Sequence, residues 1–455
     1  MTHPCPHAAL HDPRFHADPQ AVLQRLRDTH GPVVPVELEP GVRAWLVIDY
    51  TIITAWCRDT RTFSRDARRW RDWRAGRVRD DARVVPMMAY RPNAMFADGD
   101  RHLRLRRAVT DALGRAEAHR IAADARGFAH RLIDGFCARG RADLLADYAR
   151  QLPLLVLTRL VGFGDNAGRR LAEAVRGMWD GTDAERANAA YERTLSEAVT
   201  AKSARPGDDV LSRLMAHDAG LSREEVLHHL VLILGIGDES TANLIGNTMR
   251  LLLTDREFAA DLAGSRVGID DAVDRALWSD PPVTNFPVLY PVRDIELAGG
   301  RIIREGTPIL LGLGAANRFL ADQYRERIQE TANRAHLAWG VGPHRCPAQD
   351  IARMIAGNGV EILVERLPEL RLAVPESELR WRNSPFARAL TALPVVFTPQ
   401  PPERVREQAE QTATVPAAEG EPRHRDARAD TGTEDPRGGA RPSRPRRRDR
   451  WRRGR

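Results

Sequence analysis

From Ser222 to Leu253 the chain keeps an apolar periodicity of helical type, and the run opens on a start signal: Ser222 with Glu225 three residues later, a capping box. A helix of about thirty residues measures 45 Å or so, enough to cross a whole domain, so this run constrains the fold more than any other. Gly235 and Gly237 stand in its middle. Glycine there costs up to about 1 kcal/mol relative to alanine, and the pattern predicts a groove or kink at that point.

Other helical patterns fill most of residues 100–280, and short alternating strands are expected at 33–38, 43–48, around 294–310 and at 392–398. The expected class is mainly α with minor β: one domain over residues 1–400 with the long helix at its centre. Residues 401–455 read as a disordered tail, rich in Pro, Gly, Glu and Arg with Trp451 as almost the only large apolar residue. The tail carries 15 arginines against 10 acids, which supplies +5 of the net charge of +7 and leaves the remainder close to neutral. Such a tail can touch nucleic acid or an acidic protein surface, but a solvated tail without a specific partner has the same composition. No apolar run reaches the length of a bilayer span, no signal peptide is visible, and four widely spaced cysteines read as free thiols of a cytoplasmic protein.

One of those cysteines has unusual company. In HLAWGVGPHRCPAQ, residues 336–349, Cys346 follows Gly340, Gly342, His344 and Arg345 and precedes Pro347, a good first residue for a helix. A thiolate is favoured at a helix N-terminus, beside cations, or on a metal, and all three conditions can be met here. The two glycines permit backbone angles that would lay the chain flat against a large planar group. A buried, inert cysteine remains the commoner fate of a lone thiol.

The combination W-G-x-G-x-H-x-C resembles the cysteine loop of the cytochrome P-450 superfamily, F-G-x-G-x-H-x-C-x-G. Trp339 stands for the Phe and Ala348 for the last Gly, while Gly340, Gly342, His344 and Cys346 match. The resemblance implies a heme b cofactor (iron protoporphyrin IX) with Cys346 as its thiolate ligand, pushing electron density to favour O–O cleavage. Further segments recur in family order between about residue 15 and residue 400. In DGDRHLRLRR, His102 and Arg106 lie four apart on one helical face. That is also the pattern of a solvated basic helix, but the resemblance implies that both reach heme propionates, as would His344. In GIGDESTAN, Ile236 and Gly237 stand where the family has Ala-Gly over the heme. Glu239 matches its acid and Ser240 its alcohol, with Thr241 following. An acid and a hydroxyl there would relay protons during catalysis, and Ile236 should crowd the space above the iron.

The family pattern also fails in places. Its E-x-x-R motif is absent: Arg275 occupies the Glu position and Trp278 the Arg position. A further propionate-binding arginine is replaced by Leu289. Apolar packing by Trp278 can substitute for a buried ion pair, and Arg275 is expected to pair with Glu326 or Glu330 in a charge-reversed lock. Arg334 is the one arginine left in the segment before the cysteine loop. The resemblance implies a monooxygenase that inserts one atom of O2 into a small organic substrate and draws electrons from a separate ferredoxin and reductase. A heme-binding sensor or scaffold with weakened activity is the alternative. Substrate choice is expected to fall to residues 65–95 and 167–203.

Overall fold

The run that begins at Ser222 is helical throughout but not uniform. The Ser222 hydroxyl accepts from the Glu225 amide, and the Glu225 carboxylate accepts from the Ser222 amide, so the capping box opens the helix Arg223–Val231. The glycines fall at a five-residue π turn, Leu232–Ile236, from which the central α-helix Gly237–Thr254 continues. A π turn inserts a residue into the helical ladder and re-aims the turns after it, so the anticipated kink is this turn. The computed structural model describes residues 8–164, 166–168, 170, 171, 173, 174, 184–324 and 333–403.

The central helix packs against Leu152–Val161, Ile269–Ser279 and the long helix Gln349–Arg366, and this last also packs against Ala118–Asp134. Leu244, Ile245 and Met249 meet Ile355 and Val360 in one continuous apolar core. Gly246 permits the close approach of a neighbour: a Cβ there would lie 2.6 Å from a methyl carbon of Leu145.

The largest sheet packs into apolar clusters separate from this helical core. A six-stranded sheet runs in the order Ala8–Ala9, Val33–Glu39, Val42–Val47, Ile309–Leu311, Val288–Pro291, Phe63–Ser64. Val33–Glu39 and Val42–Val47 form its antiparallel hairpin, with Val33–Val36 buried on both faces and exposure beginning only towards the turn. A three-stranded sheet joins Arg371–Leu372, Pro394–Val396 and Arg141–Asp143, and Ile295–Glu296 pairs with Ile302–Ile303. The strands expected around 294–310 and 392–398 are therefore present, in shorter pieces. Two details differ from the sequence reading. The helix after the cysteine starts at Gln349, with Pro347 in the turn before it. The charged loop 65–95 is anchored by Trp70, Val84 and Met88, all at most 1% exposed, while Arg68, Arg77 and Arg79 pair locally with Asp66, Asp72 and Asp81. From Arg404 onward the expected tail lies outside the described residues, as do Glu326 and Glu330. Among the described residues no helix is long and apolar enough to cross a membrane.

Candidate active site

The cysteine loop is tightly hydrogen-bonded to itself. The Gly340 amide donates to the Leu337 carbonyl at 2.7 Å, Arg345 N to Gly342 O at 3.1 Å, and Cys346 N to Trp339 O at 2.8 Å. Gly340 and Gly342 adopt φ of 70° and 76°, left-handed angles that side chains resist. A Cβ at Gly342 would also come within 2.8 Å of the Cys57 carbonyl oxygen, so that position is closed to larger residues twice over. Burial pushes the Cys346 thiol above its ordinary value, while the Ala348 amide and the charges of Arg106 and Arg345 pull the other way. In this balance the protein alone does not make the thiolate; binding to a metal ion deprotonates a thiol outright.

Cys346 faces a largely apolar cavity. On the loop side, Trp339, Gly340, His344 and Ala348 share its wall. Opposite them stand Ile236, Gly237, Ser240 and Thr241, from the π turn and the first turn of the central helix. Thus the two segments singled out in the sequence, about a hundred residues apart, form two faces of one chamber. Gly342 supports the loop from behind.

A cationic and imidazole cluster closes one edge. His102 lies on the helix Gly99–Gly114 and is 4% exposed; its ring is 3.9 Å from that of His344, centroid to centroid. Arg106, one turn on, lines the cavity and donates to the Arg345 carbonyl. Burial first, then Arg65, His102 and Arg106, push His344 far below the ordinary histidine value. His102 is lowered by burial and by Arg106. The cluster is one sequence reasoning had assembled, except for Arg65. This arginine is 5% exposed, and its Nη1, like Nε2 of His102, has no hydrogen-bond partner among the described residues. Buried donors without partners are costly, and donors of this kind beside the thiol of Cys346 fit a planar ligand that carries anionic oxygens.

The proton-handling residues divide. Ser240 Oγ donates to the Ile236 carbonyl at 2.6 Å and Thr241 Oγ1 to that of Gly237 at 2.7 Å, leaving their lone pairs free to accept at the cavity wall. Glu239 is not part of that wall; it pairs with Arg382, on the segment beyond the proximal helix, Gln349–Arg366. Its neighbour Asp238, which sequence reasoning passed over, is 5% exposed, and its Oδ1 has no hydrogen-bond partner among the described residues. Burial, then the charge of Glu239, push its carboxyl well above the ordinary range.

The missing E-x-x-R network has a substitute one residue from where it was sought. Arg275 bonds Asp255 at 2.6 Å and lies 4.5 Å over the Phe258 ring, at the surface. The buried anion is Asp274. It accepts from Arg353 on the proximal helix, with Nη2 at 3.1 Å, and from Arg334 Nε at 3.1 Å, with His336 Nε2 3.6 Å away. Burial alone would raise this carboxyl, but His336, Arg353 and Arg334 together hold it at about 2. Trp278, 7% exposed, fills volume as anticipated and also donates its indole N–H to the Asn333 carbonyl at 2.8 Å. Both contacts grip the segment that leads into the cysteine loop.

Comparison with known proteins agrees with this geometry. No family model matches the chain. It is, however, 32% identical over 394 residues to the cytochrome P450 monooxygenase PikC of Streptomyces venezuelae, covering 84% of this chain and 91% of that protein. It is 34% identical over 385 residues to the mycinamicin IV hydroxylase/epoxidase of Micromonospora griseorubida, covering 80% and 92%. Among solved structures, CYP154C4 from Streptomyces sp. W2061 superposes with a TM-score of 0.76 at 30% identity, over 86% of this chain and 98% of that one. The fold and chamber are those of a heme-dependent oxygenase, and the chain belongs to the cytochrome P450 superfamily. It is a P450 monooxygenase, an oxidoreductase whose relatives work with an organic substrate, O2 and redox partners.

Proposed function

We propose that Cys346 would supply the thiolate ligand of a heme b held in this chamber, and that the protein hydroxylates or otherwise oxygenates a small, mainly apolar organic substrate. The observation that carries the reading is the juxtaposition of Cys346, on a glycine-braced loop, with Ser240 and Thr241 across the same apolar cavity. When bound, the heme supplies activation of O2 at its iron, tuned by the thiolate. The rest is assigned to this chain. The cavity's apolar wall, with Leu244, Val283 and Phe286, excludes water and seats the substrate. Ser240 and Thr241, fixed by their bonds to carbonyls one turn back, position a water by accepting from it. Glu239, held by Arg382, feeds protons to that water when the pair opens. His102, Arg106 and His344 orient the cofactor's carboxylates. Electrons come from a separate ferredoxin and reductase, and the protein works in the cytoplasm; the described chain is occupied by the heme fold.

The test is turnover under oxygen-18 gas with a surrogate ferredoxin, its reductase and a panel of apolar substrates that shift the heme spectrum. One labelled atom per product molecule is expected. Product whose oxygen comes from water, or reduction without any oxygenated product across spectrum-shifting substrates, would contradict the assignment.

A further inference from the structure

Arg65 is a buried cation for which the described protein provides no anionic hydrogen-bond partner. Its side chain lines the cavity together with Arg106, His344 and Cys346. Nη1 has no partner among the described residues, and Nη2 reaches the Cys57 sulfur at 3.8 Å. Burial raises the Cys57 thiol, so it is neutral and cannot balance the guanidinium, which stays charged under all ordinary conditions. The nearby carboxylate, Asp98, is otherwise engaged: it accepts from the Ser64 hydroxyl at 2.5 Å and from the Arg65 backbone amide at 3.0 Å. That pair of bonds fixes the backbone from which Arg65 points inward.

The sheet explains the location. Phe63 pairs with Pro291 and Ser64 with Tyr290 in antiparallel register. The pairing ends there; Arg65 is the next residue on one strand and Leu289, 2% exposed and unable to bind an anion, is the neighbour of Tyr290 on the other. Position 289 is where the family pattern places a cation. Here the adjoining strand end supplies one across the ladder.

We propose that Arg65 is an anchor for a ligand carboxylate in this cavity, taking over from position 289 the binding of a heme propionate. This rests on the heme reading above. A charged, bidentate donor suits a carboxylate, and such bonds are among the strong ones in proteins. With Arg106 and the two imidazoles it would give the two propionates four donors along one edge of the chamber.

The test uses the full chain and reads cofactor release, not turnover. Wild type, R65L, R65K and the double variant R65L/L289R are loaded with heme, and its transfer to excess apomyoglobin is followed in the Soret band. R65L should lose heme roughly ten- to a hundredfold faster than wild type. R65K should fall between them, and L289R placed on the R65L background should recover most of the loss. Reconstitution with heme dimethyl ester, which has no carboxylates, separates charge from packing: wild type and R65L should then release the ligand at the same rate. If R65L remains faster by the same factor with the ester, Arg65 acts through packing and the inference is overturned. Failure of L289R to rescue would overturn the cross-strand substitution. Should R65L not fold, R65K and the wild-type comparison of heme with its ester carry the test, and equal release of heme and ester from wild type contradicts the proposal. A wild type that takes up no heme overturns the parent reading, and that result appears before any variant is made.

Discussion

At the scale of single residues, motif matching found the groups whose chemistry is local and missed those whose role depends on what folds beside them. Cys346, Gly340, Gly342 and His344 are set by one loop, so their spacing identified them. Gly340, His344 and Cys346 line the cavity, and Gly340 and Gly342 take the left-handed angles of the loop. Arg65 gave no signal. Of 69 lysines and arginines all but Lys202 are arginine, so one more arginine in a charged loop attracts no notice until burial singles it out. Glu239 was placed correctly on the central helix, but its pairing with Arg382, 143 residues away, could not be read from the sequence. This pair yields a prediction. Glu239→Gln should lower product formation roughly tenfold to a hundredfold while heme content and the carbon monoxide spectrum stay unchanged, because the residue moves protons and does not hold the cofactor. Consumption of reductant should continue, with peroxide appearing in place of product. Full coupling in Glu239→Gln would remove the acid from the proton path and turn attention to the buried Asp238.

At the scale of elements, the ion-pair lock is the clearest case of a function conserved by displacement. Asp274 ties the helix Ile269–Ser279 to the segment before the cysteine loop through Arg334, and to the helix after it through Arg353. Arg275 bonds Asp255 at the surface and the buried charge sits next door, while its expected partners Glu326 and Glu330 lie outside the described residues. Periodicity alone could have suggested this, since Asp274 falls on the same face as Leu277 and Trp278, both buried. Removing one member of a buried pair is expensive, so Asp274→Asn should cost roughly 3 kcal/mol in unfolding free energy. Arg275→Ala should cost less than about 1 kcal/mol, as half-exposed pairs do. The same carboxyl gives a pH signature. Its folded value of about 2 lies below the ordinary 3.8. Its stabilisation is therefore complete above the unfolded value and is lost as pH falls from about 4 towards 2. Denaturation titrations of wild type and Asp274→Asn at a series of pH values check this: the gap between them should narrow on acidification. A gap that does not change with pH would mean that Asp274 is not ionised in the folded protein.

At the scale of the whole molecule, the sequence carried the architecture further than the contacts. The capping box, the glycines of the π turn and the strand pattern each appear where expected, because each is specified within a few residues. The closure of the chamber was legible through resemblance, which fixed the order of segments along the chain. What sequence could not supply were the cross-chain balances, Arg65 against Leu289 and Asp274 against Arg353, since those depend on register between distant elements. Together they describe a P450 whose two familiar supports, the lock and one cofactor anchor, have each been moved to a neighbouring position and not lost. The central claim is that this rebuilt frame still presents Cys346 as a thiolate to the heme iron. The most direct measurement is the absorbance spectrum of the dithionite-reduced protein under carbon monoxide, for wild type and Cys346→Ala. The account predicts a strongly red-shifted Soret band in wild type that disappears in the variant. A wild-type band typical of histidine or neutral ligation, or the same band in both proteins, would contradict it.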